Sequence, residues 1–139
     1  MSLVDFPHRI QICDFGTGGG IPGIPLAIVR PDLQITLLDS KQKKIHSVQK
    51  IVHNLQITNI TCFAGRGEEI QSSSPHFKKY TFILAKSVTS LLRLEQWTRT
   101  LRTKNSCIYA YKGGDLTQEK KAILNHPHLQ SYREQSLQL

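Results

Sequence analysis

The 139-residue chain has little cysteine, few acidic groups and no long apolar run. Cys13, Cys62 and Cys107 are an odd set without metal-ligand spacing, which excludes a disulfide framework and a zinc module. Each falls in a predicted strand, so all three read as buried, reduced thiols. No stretch reaches the roughly 18 apolar residues of a membrane-spanning helix, and the opening MSLVDFPHRI has no apolar core of an export signal. The expectation is a soluble, cytoplasmic protein with no membrane partner. Asp and Glu number 10 against 18 Lys and Arg, a formal charge of +8. That imbalance points to a polyanionic partner, nucleic acid first. His46 and His53 share a lysine-rich segment with no third ligand in view, so they read as surface residues and no metal is expected. No G-x-x-x-x-G-K-[ST] phosphate loop occurs, which argues against ATP and phosphoryl transfer.

What the chain does have is glycine, concentrated in one place. Asp14-Phe-Gly-Thr-Gly-Gly-Gly-Ile-Pro-Gly-Ile-Pro follows the apolar run Ile10 to Cys13, so a strand leads into a glycine-rich turn and then a helix. Such a turn lets the backbone take positive φ and approach a ligand closely. Pro22 and Pro25 suit the opening turn of a helix, where a missing N–H costs nothing. A turn of this kind at the carboxyl end of a parallel strand is the usual nucleotide cradle of open α/β sheets.

The remainder repeats the alternation. Strands are expected at Ile10 to Phe15, Ile35 to Leu38, Ile60 to Ala64, Thr81 to Ala85 and Ser106 to Tyr111. Between them lie helical patterns: Ile21, Ile24 and Ile28 on one face; Ile45, Val48, Val52 and Leu55 on a second; Leu91, Leu94, Thr98 and Leu101 on a third, with Arg93, Arg99 and Arg102 on its other sides. Ser40 is placed to cap the second helix, and Asp115 with Gln118 resembles a capping box for a fourth helix running toward Asn125. Gln71 to Lys79 reads as a connection, and Ser131 to Leu139 alternates weakly like a sixth strand. Length and pattern give a single domain over residues 1–139, a doubly wound, mostly parallel α/β sheet. Ligands in that class bind at the carboxyl ends of the strands, where Gly16 to Gly20, Asp39, Gly67, Lys86 and Lys112 all fall.

Two ligands compete for the turn. Gly18-x-Gly20-x-x-Gly23 fits the dinucleotide fingerprint, with Asp39 able to accept from a ribose 2′-OH, although Pro22 sits awkwardly inside it. The alternative is S-adenosylmethionine, whose methyltransferases commonly place an acidic residue before a glycine turn. Asp14 would then order the turn and help receive the cationic amino acid end, and Asp39 would take the ribose hydroxyls.

The run DFGTGGGIPGIPLAIVRPDLQITLLDS closely resembles the corresponding segment of the bacterial small-subunit ribosomal RNA guanine-N7 methyltransferases, the glucose-inhibited division protein B family. Gly65-Arg66-Gly67-Glu68-Glu69 looks like the family's Arg-Ala-Glu-Glu segment at the adenine end, and Tyr111-Lys112-Gly113 looks like its Lys-Gly turn. The likeness runs from about Ile10 to Gly114 with order and spacing kept. It implies a class I S-adenosylmethionine-dependent methyltransferase, Rossmann-like in fold, acting on 16S ribosomal RNA or the small ribosomal subunit. It implies cofactor binding by Asp14, Gly16, Thr17, Gly18, Gly20, Asp39, Ser40, Gly67 and Glu68.

The reaction implied is displacement at the sulfonium methyl by guanine N7, which carries no proton and needs no general base. Alignment and electrostatics would do the work, with Lys86 and Lys112 beside the reacting base. Arg66 is expected to support the cofactor loop or bind phosphate, and Lys41, Lys43, Lys44, Arg93, Arg99 and Arg102 are candidates for the RNA backbone. Ser87 and Thr89 could hydrogen-bond the guanine edge, with helix capping the favoured role. The chain lacks an Asn/Asp-Pro-Pro-Tyr/Phe motif for exocyclic amines and a Pro-Cys motif for pyrimidine C5. It departs from the family in Ala85-Lys86-Ser87, where Ser-Arg-Ala is usual, so a guanidinium fork is lost while the charge stays. Relative to the family pattern it reads as truncated at both ends, without the N-terminal helices and the last antiparallel strand. That leaves the C-terminal segment expected to be mobile or paired with another chain.

Overall fold

The computed structural model describes residues 5–70, 79–127 and 129. The expected sixth strand and nearly all of the connection after Ile70 lie outside them. Among the described residues five strands form one sheet: β1 (Gln11–Phe15), β2 (Gln34–Asp39), β3 (Ile60–Ala64), β4 (Tyr80–Lys86) and β5 (Arg102–Tyr111). Their spatial order is β3-β2-β1-β4-β5 and every pairing is parallel. Four α-helices among the described residues accompany them: α1 (Gly23–Val29), α2 (Gln42–Asn54), α3 (Leu91–Thr98) and α4 (Thr117–Leu124).

The central strands are apolar on both faces because both faces are covered. Ile12, Ile35, Leu37 and Leu84 point into a core with Ile24 and Ala27 of α1 and Ile45 and Val48 of α2. Cys13, Phe15, Leu38, Ile83 and Ala85 point the other way, against Leu94 of α3 and Leu101. The chain steps outward from β1 to β3, then returns to place β4 on the other side of β1. The carboxyl ends of β1 and β4 therefore sit at the topological switch point, where open α/β sheets hold ligands.

Several local expectations change. Ile21 and Ile28 are 54% and 56% exposed, because α1 is short and buries Gly23, Ile24 and Ala27 instead. Leu55 is also exposed: α2 ends at Asn54, Gln56 turns into positive φ, and Ile57 is the residue that returns to the core. Arg102 opens β5 rather than lying on α3. Its guanidinium reaches the buried Glu95 carboxylate at 2.9 Å, which also takes Arg99 at 2.7 Å. Burial pushes Glu95 up, but Arg99, Arg102 and His126 together hold it below the ordinary glutamate range.

The expected caps move as well. Ser40 caps nothing; the Asp39 Oδ1 accepts the Lys41 amide at 2.9 Å. The cap of α3 is Ser90, one residue beyond Thr89. Asp115 accepts both the amide and the hydroxyl of Thr117, closing a local turn rather than a capping box. Cys13 is buried and Cys62 partly so, but Cys107 is exposed, since β5 is an edge of the sheet among the described residues. No helix among the described residues is long and apolar enough to cross a membrane. Among the same residues no group of three or more His, Cys, Asp and Glu is placed to hold a metal ion.

Candidate functional site

The glycine turn is built from beneath by Asp14. Its side chain is fully buried, and Oδ2 accepts the Thr17 hydroxyl and the Gly23 amide, each at 2.8 Å. Oδ1 is buried without a hydrogen-bond partner. Desolvation pushes this carboxyl up to about 6, against the opposing pull of those two bonds. Asp14 therefore shapes the turn from inside, and Thr17 faces inward with it.

From above, the turn is tied to β2. The amides of Gly16 and Thr17 both donate to the Leu38 carbonyl, at 2.8 and 2.9 Å. The Gly18 amide donates to Asp39 Oδ2 at 2.9 Å. Gly16 has φ +70°, and a Cβ there would stand 2.8 Å from Cγ2 of Val88. Gly18 and Gly19 differ: a Cβ on either would meet nothing within 4 Å, so their backbone borders open space. Gly20 packs toward Ile24, away from that space.

A cleft of about 430 Å³ opens at this edge. Of the residues expected to bind a cofactor, Gly16, Asp39, Ser40, Gly67 and Glu68 line it, together with Lys86 at the end of β4. Gly18 joins through its bond to Asp39. Asp14, Thr17 and Gly20 serve the turn without lining the cleft. Lys112 does not line it either. Its ammonium is held by Glu119 at 2.8 Å and the Thr89 carbonyl at 2.6 Å.

The rim is basic, with Lys41, Lys44, Arg66 and Lys86 against Asp39 and Glu68. Arg66 leans toward Glu68 and Glu69, at 3.6 and 3.9 Å, and stays largely exposed. Apolar walls come from Phe15, Leu38, Val88 and Trp97. Trp97, Phe15 and Val88 are contributions that sequence reasoning missed. Only the rarity of tryptophan, one in the chain, marked position 97, whereas Phe15 and Val88 look like ordinary core residues in a linear reading.

These groups suit a particular kind of ligand. Each Asp39 oxygen is engaged by a single backbone N–H, so lone pairs remain for hydroxyl donors. The open backbone at Gly18 and Gly19 admits a chain beside it, and Gly67 and Glu68 offer main-chain and carboxylate partners to a heterocycle. A nucleoside-bearing molecule fits this donor and acceptor set.

Comparison with known proteins gives the same direction. A family model described as rRNA small subunit methyltransferase G matches residues 1–139. A protein named ribosomal RNA small subunit methyltransferase G from Desulforamulus reducens is 31% identical over 121 residues, covering 87% of this chain and 50% of that protein. Its namesake from Erwinia tasmaniensis is 37% identical over 114 residues, 81% of this chain and 54% of the relative. The chain thus spans about half the length of the curated relatives it matches. In fold, it resembles a SAM-dependent methyltransferase from Aquifex aeolicus at a TM-score of 0.61 and 14% identity, covering 81% of this chain and 64% of that one. PKMT2 from Rickettsia typhi in complex with AdoHcy gives 0.61 at 19% identity, covering 72% and 20%. With a class I methyltransferase sheet, a glycine turn sealed onto Asp14 and a family match along its whole length, this chain belongs to the rRNA small subunit methyltransferase G family.

Proposed function

We propose that this chain carries the site of an S-adenosylmethionine-dependent enzyme that methylates N7 of a guanine in 16S ribosomal RNA, as free RNA or within the small subunit. The carrying observation is Asp39, a buried carboxylate on the cleft wall with spare lone pairs, fixed beside the open backbone of Gly18. When bound, the cofactor supplies a methyl group on a cationic sulfur, which the N7 lone pair takes while S-adenosylhomocysteine leaves.

Each residue then has a defined task. Asp39 and Ser40 accept from the ribose, Gly67 and Glu68 hold the adenine end, and Gly16, Gly18 and Gly20 give the turn its approach to the amino acid end. Thr17 and Asp14 keep that turn rigid, and Asp14 adds negative charge below it. Phe15, Val88 and Trp97 exclude water. Lys86 faces the reacting side, where its charge holds the guanine or its phosphate. Lys112 acts through the loop that it fastens, and Lys41, Lys44 and Arg66 meet the RNA backbone at the rim. The place of action is the cytoplasm, where the small subunit is found.

Titration calorimetry with S-adenosylmethionine and with NAD, followed by a search for 7-methylguanine in small-subunit rRNA treated with the chain, tests this reading. Micromolar binding of the first ligand and appearance of the modified base are expected. Binding of NAD alone would sink it.

A further inference from the structure

The loop at residues 87–90, between β4 and α3, is held from three sides. The Ser87 amide donates to the Tyr111 carbonyl at 3.0 Å, although Ser87 sits at φ +52°, a conformation that costs a non-glycine residue energy. The Val88 side chain fills the space where Gly16 lacks a Cβ, so the loop leans directly on the glycine turn. The third hold is ionic. Lys112 Nζ donates to the Thr89 carbonyl at 2.6 Å and to Glu119 Oε2 at 2.8 Å. The same Oε2 accepts the Leu91 amide at 3.0 Å, at the first turn of α3. One carboxylate oxygen on α4 therefore fastens the carboxyl-terminal end of the segment that carries Val88, directly at Leu91 and through Lys112 at Thr89.

We infer that Glu119 is a positioning residue: with Lys112 it locks the 87–90 loop against the glycine turn and so sets Val88 and the adjoining Lys86 at the cleft. The pair is partly shielded, at 15% and 28% side-chain exposure, and the hydrogen bond from Lys112 holds Glu119 below the ordinary glutamate range. A charge-assisted pair in that setting is stronger than a surface ion pair. Lys112 thereby acts at one remove from the substrate, unlike Lys86. The effect on turnover rests on the methyltransferase reading above, whereas the lock itself does not.

The test uses the 139-residue chain and its Glu119→Ala, Glu119→Gln and Lys112→Met variants, read by amide hydrogen exchange, calorimetry and methyl transfer to rRNA. In Glu119→Ala the Ser87 and Leu91 amides should exchange about tenfold faster, while β1 and β2 amides stay within about twofold. Glu119→Gln, which keeps an acceptor at the same reach, should recover most of the protection at Leu91. Affinity for S-adenosylmethionine should stay within about twofold, and methyl transfer should fall about tenfold in kcat for Glu119→Ala and Lys112→Met. Unchanged exchange at Ser87 and Leu91, or equal loosening of β1 and β2, overturns the lock. Loosened exchange with full turnover overturns the positioning role. A wild-type chain that shows the protected loop but never methylates rRNA sinks the proposed function and leaves the lock standing.

Discussion

The Gly23 amide donates to Asp14 Oδ2 at 2.8 Å, and a Cβ on Gly23 would stand 2.7 Å from that oxygen and inside the Leu37 side chain. The start of α1 is thus pressed onto β1 and β2 as closely as a backbone without a side chain allows. This contact closes the glycine turn, since the chain from Thr17 to Gly23 begins and ends on the same buried carboxylate.

Gly23→Ala should therefore be destabilising, even though alanine is the better helix former. Pushing α1 off the sheet costs about 2 kcal/mol in overpacking, more than the gain of up to about 1 kcal/mol in helix propensity. Urea unfolding would read the loss as a lower midpoint. Cofactor affinity should fall with it, because the turn loses its anchor.

Asp14 sets a pH dependence of unusual sign. Its folded pKa is raised from 3.8 to about 6, so the folded chain binds the proton more tightly than the unfolded one. Stability from this group is present at low pH and is lost as pH rises from about 4 to about 6, by roughly 3 kcal/mol in all. Glu95, Glu119, Asp32 and Asp115 are all lowered and act in the opposite sense, losing stability as pH falls through their folded values. The difference between wild type and Asp14→Asn isolates the one group. Urea midpoints at pH 4, 5, 6 and 7 should show the variant gaining on wild type across that window. A constant difference would contradict the assignment.

Trp97 is the sole tryptophan and lines the cleft. Its emission should shift on titration with S-adenosylmethionine and saturate with the same Kd as calorimetry. Trp97→Phe should remove the signal while retaining binding within about threefold, since a phenyl ring keeps most of the apolar wall.

Lys86 lines the cleft at the end of β4. Lys86→Ala should lower methyl transfer to rRNA about tenfold and leave cofactor affinity nearly unchanged, because the charge serves the acceptor side. Lys86→Arg should raise transfer above wild type, through the planar fork that lysine cannot offer. Single-turnover rates with a labelled methyl donor would measure both.

The strands and the cradle were legible in the sequence because their signals are local. Ile12 to Phe15, Ile35 to Leu38 and Ile60 to Ala64 are apolar runs bounded by turn residues, and the glycine turn with Asp14 and Asp39 is written in contiguous letters. Periodicity failed where the deciding fact was what covers a face. Ile28 and Leu55 match a helical stripe, yet no element reaches them among the described residues. The place of Lys112, just after a strand at the functional edge, points it toward the substrate. Its partner Glu119 lies on the next helix, and nothing in the intervening letters announces that the two meet. Arg102 is a related case: it fits a polar side of the helical stripe, but it opens β5 and meets Glu95 from there.

The cleft walls come from four separate turns: Phe15 and Gly16, Leu38 to Lys41 with Lys44, Gly65 to Glu68, and Lys86 to Val88, with Trp97 behind them. No single segment of the chain holds a usable part of the site. Ligand occupancy and global folding are consequently one equilibrium, since unfolding any strand beneath these turns dissolves the pocket. A ligand present at about 100 times its Kd should therefore protect the whole sheet by about 2.7 kcal/mol, even at strand ends far from the cleft.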